Sequence, residues 1–150
     1  MQEPRATRAN LGFLLAKASQ RWNELLHEAF AREGFPEVRA SYGSVLLPLF
    51  EHDGLRMGEV AGRARLSKQT MTTMVRLAER DGLVERRPDP SDRRATRVHL
   101  TEKGKRFRPV AERVLAELDE LAREALGDRS MSDSAHALAK LAELDDGSRR

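Results

Sequence analysis

Gln69, Thr72, Thr73 and Arg76 recur at three- and four-residue spacing, with Arg80 one turn further on. On a helix that spacing gathers them on one face. The face holds hydrogen-bond donors and acceptors, one cation repeated a turn later, and no carboxylate. Such a surface can approach phosphates without repulsion while its longer side chains reach base edges. Gln matches the adenine edge and Arg the guanine edge in the major groove of a duplex. Ser67, Lys68 and Thr70 sit at the front of the same segment and extend the candidate contact set. Met71, Met74, Val75 and Ala78 fall at i, i+3, i+4 and i+7 on the opposite side, so the segment also has a face to bury.

A second group of cations follows. Arg86, Arg87, Arg93, Arg94 and Arg97 flank a polar, turn-rich loop from Pro88 to Ala95. A loop of that composition cannot bury itself, so its arginines project beyond the body. There they can neutralise phosphates or enter a narrow minor groove, where the negative potential is concentrated. Asp92 is out of place on such a surface unless its work is local. It is expected to structure the loop, either by fixing Arg94 or a neighbouring guanidinium or by accepting turn amides.

The elements that must position these residues follow from periodicity and punctuation. Apolar residues from Leu11 to Phe30 mark a long amphipathic helix over about 8–31, ended by Gly34, Phe35 and Pro36. A second helix is expected from about Arg39 to Glu51, then a short strand at Leu55-Arg56-Met57 and a short helix from Gly58 to Ala64. Ser67 is a suitable N-cap for the next helix, which Gly82 closes in a left-handed conformation. Two short helices joined by a tight connection make a helix–turn–helix. Leu83–Arg87 and Thr96–Leu100 alternate apolar with polar residues and read as a hairpin. Thr101 opens a last long helix up to Gly127, which Pro109 is expected to bend or restart. Ser130 or Ser132 would cap a shorter final helix, and Asp145–Arg150 reads as a disordered tail.

Composition bounds the alternatives. The 150 residues suit one modest core with helical extensions; aromatics are 5%, so Leu, Ala, Val and Met must fill it. There are no cysteines, which removes disulfides, thiolate catalysis and thiol redox sensing together. His27, His52, His99 and His136 lack metal-ligand spacing, so no metal and no cofactor is expected. No apolar run approaches the length of a membrane span and no signal peptide is visible, so a cytoplasmic protein without membrane contact is expected. The net charge is only +3, but residues 63–108 hold 14 Lys/Arg against 6 Asp/Glu, while the remainder holds 13 against 18. A basic middle between acidic ends is the asymmetry of a module that faces a polyanion. Phosphate-loop, dinucleotide, zinc-protease and nucleophile-elbow motifs are all absent, so an enzyme is not expected.

The string Asp92-Arg93-Arg94-Ala95-Thr96-Arg97-Val98-His99-Leu100-Thr101-Glu102-Lys103-Gly104 resembles the wing signature of the MarR (multiple antibiotic resistance regulator) family. That signature is Asp, any residue, Arg, then an apolar strand ending Leu-Thr with Gly soon after. Leu77 to Arg86 is similar to the exit of that family's recognition helix, a Leu followed on the next turn by Gly-Leu-Val-x-Arg. The resemblance implies a mainly α fold with a small β-hairpin. A winged helix–turn–helix lobe would occupy 39–104, and dimerisation helices 8–34 and 105–146. It implies an obligate homodimer that places two recognition helices in successive major grooves of a pseudopalindromic operator. It also implies a repressor of nearby genes relieved by a small aromatic or anionic effector. Arg21, Trp22, His27, Tyr42 and His52 are effector candidates by residue type alone. Apart from the resemblance, the end helices carry more apolar residues than one small lobe needs. Leu11, Leu15, Leu118, Leu121, Leu138 and Leu141 are candidates for a two-fold interface. A non-specific architectural DNA-binder and a helical interaction module share the basic face, and both stay open on the residues alone.

Overall fold

The computed structural model describes residues 10–145. The element order is helix α1 (Leu11–Arg32), a 3₁₀ turn (Ala40–Tyr42), α2 (Gly43–Glu51), β1 (Leu55–Arg56), α3 (Met57–Ala64), α4 (Lys68–Arg80), β2 (Val84–Pro88), β3 (Thr96–Leu100), α5 (Glu102–Leu126) and α6 (Asp128–Ala142). The expected succession of elements is present, with three local differences. The second helix starts as a 3₁₀ turn rather than as α-helix. The fifth runs unbroken through Pro109, whose missing N–H removes one backbone bond, to the Lys105 carbonyl, without ending the helix. The last begins at Asp128 behind Gly127, with no side-chain cap. Ser130 and Ser132 therefore lie inside it and not at its N-terminus. Of the expected disordered tail, residues 146–150 lie outside the described residues, as do Arg8 and Ala9 of the expected first helix.

The three strands form one antiparallel sheet in the order β1-β3-β2. Val84 pairs with Leu100 and Pro88 with Thr96, while Leu55 on the other edge pairs with Val98. This register buries Leu55, Val84, Val98 and Leu100 on one face and turns Arg87 and Glu85 outward. The helix–turn–helix packs on that face. Val60 and Ala61 of α3 and Met71, Val75 and Ala78 of α4 are buried, the last three at the spacing expected of one helical face.

The chain divides into two compact units after Val114. In the first, Phe107 is the junction of the core: its ring meets Phe30 edge-on at 4.9 Å and Phe35 at 5.0 Å. Gly104, one turn earlier on α5, lets that helix lie against the α4–β2 junction. A Cβ there would fall 2.2 Å from the Leu83 carbonyl oxygen. In the second unit, α6 buries none of its residues, and Leu121, Leu126 and Leu138 are about half exposed.

Candidate nucleic-acid interface

Ser67 sets the start of α4. Its Oγ accepts the Thr70 backbone N–H at 3.1 Å and donates to Thr70 Oγ1 at 2.8 Å, which engages the Ser67 hydroxyl locally. The turn before it is closed by Arg65 in the left-handed region, φ 54, the only non-glycine described residue there. Lys68, Gln69, Thr70, Thr73 and Arg76 are exposed along the outward face, and Thr72 is half-buried. Thr72 Oγ1 donates to the Lys68 carbonyl at 2.8 Å and Thr73 Oγ1 to the Gln69 carbonyl at 3.2 Å. Arg76 is exposed and makes no close ion pair among the described residues, although its charge acts on the Glu79 carboxylate one turn on. At the far end Asp81 and Gly82 terminate the helix, Gly82 with φ 80 as its position requires. The buried Tyr42 hydroxyl donates to Asp81, and Lys103 Nζ donates to the Asp81 carbonyl at 2.9 Å, so the helix exit is held from two sides. Burial, with the ionised Asp81 beside it, pushes the Tyr42 phenol up.

The wing arginines divide. Arg86 is bound in a fork to Glu79 of α4, with Nη2 to Oε1 at 3.0 Å, and its backbone N–H also donates to that carboxylate at 3.1 Å. These bonds hold the Glu79 carboxyl below its usual range. Arg87 pairs with Glu85 beside it. Arg97 donates from Nε to Asp89 Oδ2 at 3.0 Å and from Nη1 to the Gly54 carbonyl at 2.8 Å. Of the five, only Arg93 and Arg94 carry exposed guanidinium groups with no ion pair among the described residues. They occupy the tip between β2 and β3.

Two carboxylates shape that tip. Asp92 Oδ1 accepts the Arg94 backbone N–H at 3.0 Å, and its own carbonyl accepts Ala95 N–H at 3.0 Å. Of the two local roles expected of it, the structure places it in the turn-amide role and not on the Arg94 guanidinium. Asp89, which the sequence reading passed over as one more turn residue, is the only buried charged residue among those described. Its Oδ1 accepts Ser91 N–H at 2.8 Å and Ser91 Oγ–H at 2.7 Å, and its Oδ2 accepts Arg56 Nε–H at 2.7 Å in addition to Arg97. The two bonds from Ser91, with the Arg56 guanidinium beside them, hold this carboxyl far below the ordinary carboxylate range. Nothing in composition or periodicity singles it out. The one available signal was an Asp two residues before a Ser in a turn, the pattern of an Asx turn.

Between the front of α4 and the wing lies an open cleft whose lining includes Arg56, Lys68, Thr72, Arg86 and Arg94 with a single carboxylate, Glu59. That carboxylate accepts the Arg56 backbone N–H at 3.1 Å and so caps α3. The cleft is cationic on balance. A second, shallower cleft between α2 and α3 is lined by Leu47, Pro48, Glu51 and Arg63. None of Arg21, Trp22, His27, Tyr42 or His52 lines either one. Arg21 is paired with Glu24 at 3.2 Å and Trp22 is half-buried, while His27 and His52 are exposed. No three His, Asp or Glu side chains among the described residues lie where they could hold a metal ion. No described helix is long and apolar enough to cross a membrane.

Known proteins share both the motifs and the architecture. The MarR family model matches residues 41–96, from the 3₁₀ turn to the start of β3. The HTH-type transcriptional regulator YsmB of Bacillus subtilis is 31% identical over 96 residues, covering 62% of this chain and 64% of that protein. TtmR of Methylorubrum extorquens, also an HTH-type transcriptional regulator, is 36% identical over 110 residues, covering 67% and 55%. The matches thus span between about half and two thirds of the curated relatives' own length. Among solved structures, the transcriptional repressor CouR bound to a 23-mer DNA duplex superposes with TM-score 0.76 at 26% identity, covering 94% of this chain and 99% of that one. The PcaV regulator of Streptomyces coelicolor, in complex with its natural ligand, gives TM-score 0.77 at 21% identity over 95% of this chain and 97% of that one. At that identity it speaks to the fold alone, which is the winged helix expected. Over residues 41–96, which hold the helix–turn–helix and most of the wing, the chain matches the MarR family.

Proposed function

We propose that this chain is a sequence-specific double-stranded DNA-binding transcriptional regulator that works as a homodimer on a pseudopalindromic operator. The observation that carries this reading is the pairing of two surfaces. One is the outward face of α4, with Lys68, Gln69, Thr73 and Arg76 exposed and its one flanking carboxylate, Glu79, engaged by Arg86. The other is a hairpin tip whose Arg93 and Arg94 are exposed and make no ion pair among the described residues. The first has the donors and acceptors of base reading, and the second has cations for phosphates or a minor groove. CouR, with the same fold, is bound to a duplex, and that supports the same use here.

Homodimerisation rests on exposed apolar surface. Leu11, Phe13 and Leu14 on α1 and, in the other unit, Leu121, Leu126, Leu138 and Leu144 are about half or more exposed. Leucine rows of this extent on helices are ordinarily covered by a partner, and a two-fold pairing covers both copies at once. Repression of nearby genes, relief by a small aromatic or anionic ligand, and action in the cytoplasm complete the proposal. CouR is named a repressor and PcaV holds a natural ligand.

Selecting duplexes from a random pool with the purified protein tests the central claim. Enrichment of one inverted repeat, with competition by it far outstripping random DNA at fixed salt, supports a regulator. Equal affinity for every duplex replaces it with an architectural role, and no duplex binding overturns both. Sedimentation of the same sample reads the dimer, and a screen for compounds that release the selected duplex reads the effector.

A further inference from the structure

Asp89 has no exposed side-chain surface, although it sits at the base of a hairpin of which most of the tip is in solvent. A buried carboxylate is costly unless fully paired, and even when paired it seldom stabilises more than an apolar side chain of the same size would. Its partners show what it does. Arg56 comes from β1, Arg97 from β3, and Ser91 from the turn that climbs to the tip. Arg56 Nη2 reaches on to Ser91 Oγ at 3.4 Å, and Arg97 Nη1 reaches back to Gly54, so both guanidinium groups bridge between segments. Asp89 N–H meanwhile donates to the Ala95 carbonyl at 3.0 Å and closes the loop that contains Arg93 and Arg94. One carboxylate therefore joins the edge strand beside α3, the returning strand and the first residues of the tip.

Resting on the function proposed above, we infer that Asp89 is a positioning residue of the DNA interface. It aims Arg93 and Arg94 through Arg56, Arg97 and Ser91, and none of Asp89, Arg56 and Arg97 is itself a principal DNA contact. This reassigns Arg97 from the contacts expected of it to the frame that holds them. The distances support the division. Arg97 has its Nε and one terminal nitrogen occupied, whereas the guanidinium groups of the two tip arginines make no ion pair among the described residues.

A double-mutant cycle on the full-length protein tests it. Affinity for the selected duplex is measured by fluorescence anisotropy, well below the melting midpoint, for Asp89→Asn and Arg56→Gln. Each is made alone and in an Arg93→Ala/Arg94→Ala background. Arg56→Gln leaves Asp89 its other partners and changes a side chain 41% exposed, so it decides the matter if Asp89→Asn does not fold. The expected result is roughly tenfold weaker binding for Asp89→Asn and about threefold for Arg56→Gln in the native background, with little or no further loss once the tip arginines are gone. Equal fold-losses in both backgrounds would mean direct contact or general destabilisation, and no loss in the native background would mean an ornamental cluster; either overturns the inference. Failure of the underlying function shows earlier and separately, as a wild-type protein that prefers no duplex.

Discussion

The recognition helix and the wing present the same kinds of side chain and hold them by different means. On α4 the polar groups are satisfied by the helix itself: Ser67 caps the first turn, and Thr72 and Thr73 bond carbonyls one turn back. The backbone ladder and a buried face fix the geometry, so the outward face needs no carboxylate. In the wing the strands are five residues each, and a two-stranded ribbon of that length is marginal alone. Acidic residues hold it instead: Glu79 takes Arg86, Asp89 takes Arg56 and Arg97, and Glu85 takes Arg87. An arginine in the wing is thus either a strut or a contact, whereas the exposed Arg76 on the helix has no strut to be.

The junction between the two regions should be the most sensitive place to break this arrangement. Gly104→Ala would set a methyl group against the Leu83 carbonyl, which already accepts the Thr101 N–H at 3.1 Å and cannot retreat. A loss of about 3 kcal/mol or more is expected in urea unfolding, as one cooperative transition. Separate transitions for helix and wing would contradict a shared frame. Next in size, Arg76→Ala should cost ~1–3 kcal/mol on the preferred duplex and flatten preference at one base pair. Arg94→Ala, in contrast, should weaken all duplexes alike and lower the salt slope by about one phosphate, with melting unchanged. Exchange of these two patterns would reverse the roles of helix and wing. Ser67→Ala removes the cap and should lower stability by ~1 kcal/mol, a cost the wing variants should not share.

The smallest effect at neutral pH belongs to acid. Asp89 has a folded pKa below its unfolded value of 3.8, so its ionised form stabilises the fold fully above that value. The contribution is lost as the pH falls from there through the folded pKa. Melting temperatures from pH 7 to 2 should therefore show a steeper acid fall for wild type than for Asp89→Asn. Parallel curves would mean that the carboxylate contributes nothing to the wing.

Much of this was legible in the residues, for reasons that also mark where legibility stopped. Periodicity and punctuation report on local structure, and they located the buried face of α4, the Ser67 cap, the Gly82 exit and the strand Thr96–Leu100. The struts are tertiary. Arg56 and Asp89 are 33 residues apart and Arg97 and Asp89 are 8 apart, separations with no helical or strand period. Only once β1 and β3 are adjacent do two guanidinium groups converge on one carboxylate. For the same reason five wing arginines looked alike in the sequence and do not in the fold. The start of α6 was misplaced because two serines offered good caps, whereas the chain turns at Gly127 with φ 80 and needs neither.

The threonine hydroxyls of the recognition helix have a consequence for the alphabet the protein can read. Each hydroxyl owns one proton, and in Thr72 and Thr73 that proton is turned inward to a helix carbonyl. Toward a base pair these side chains can offer oxygen lone pairs and a methyl group, but no donor. Lone pairs suit the exocyclic amines of adenine and cytosine, and the methyl suits that of thymine; guanine, with only acceptors on its major-groove edge, is left to the donors beside them, Arg76 and Lys68 foremost. On the function proposed above, an operator should therefore avoid guanine opposite Thr72 and Thr73.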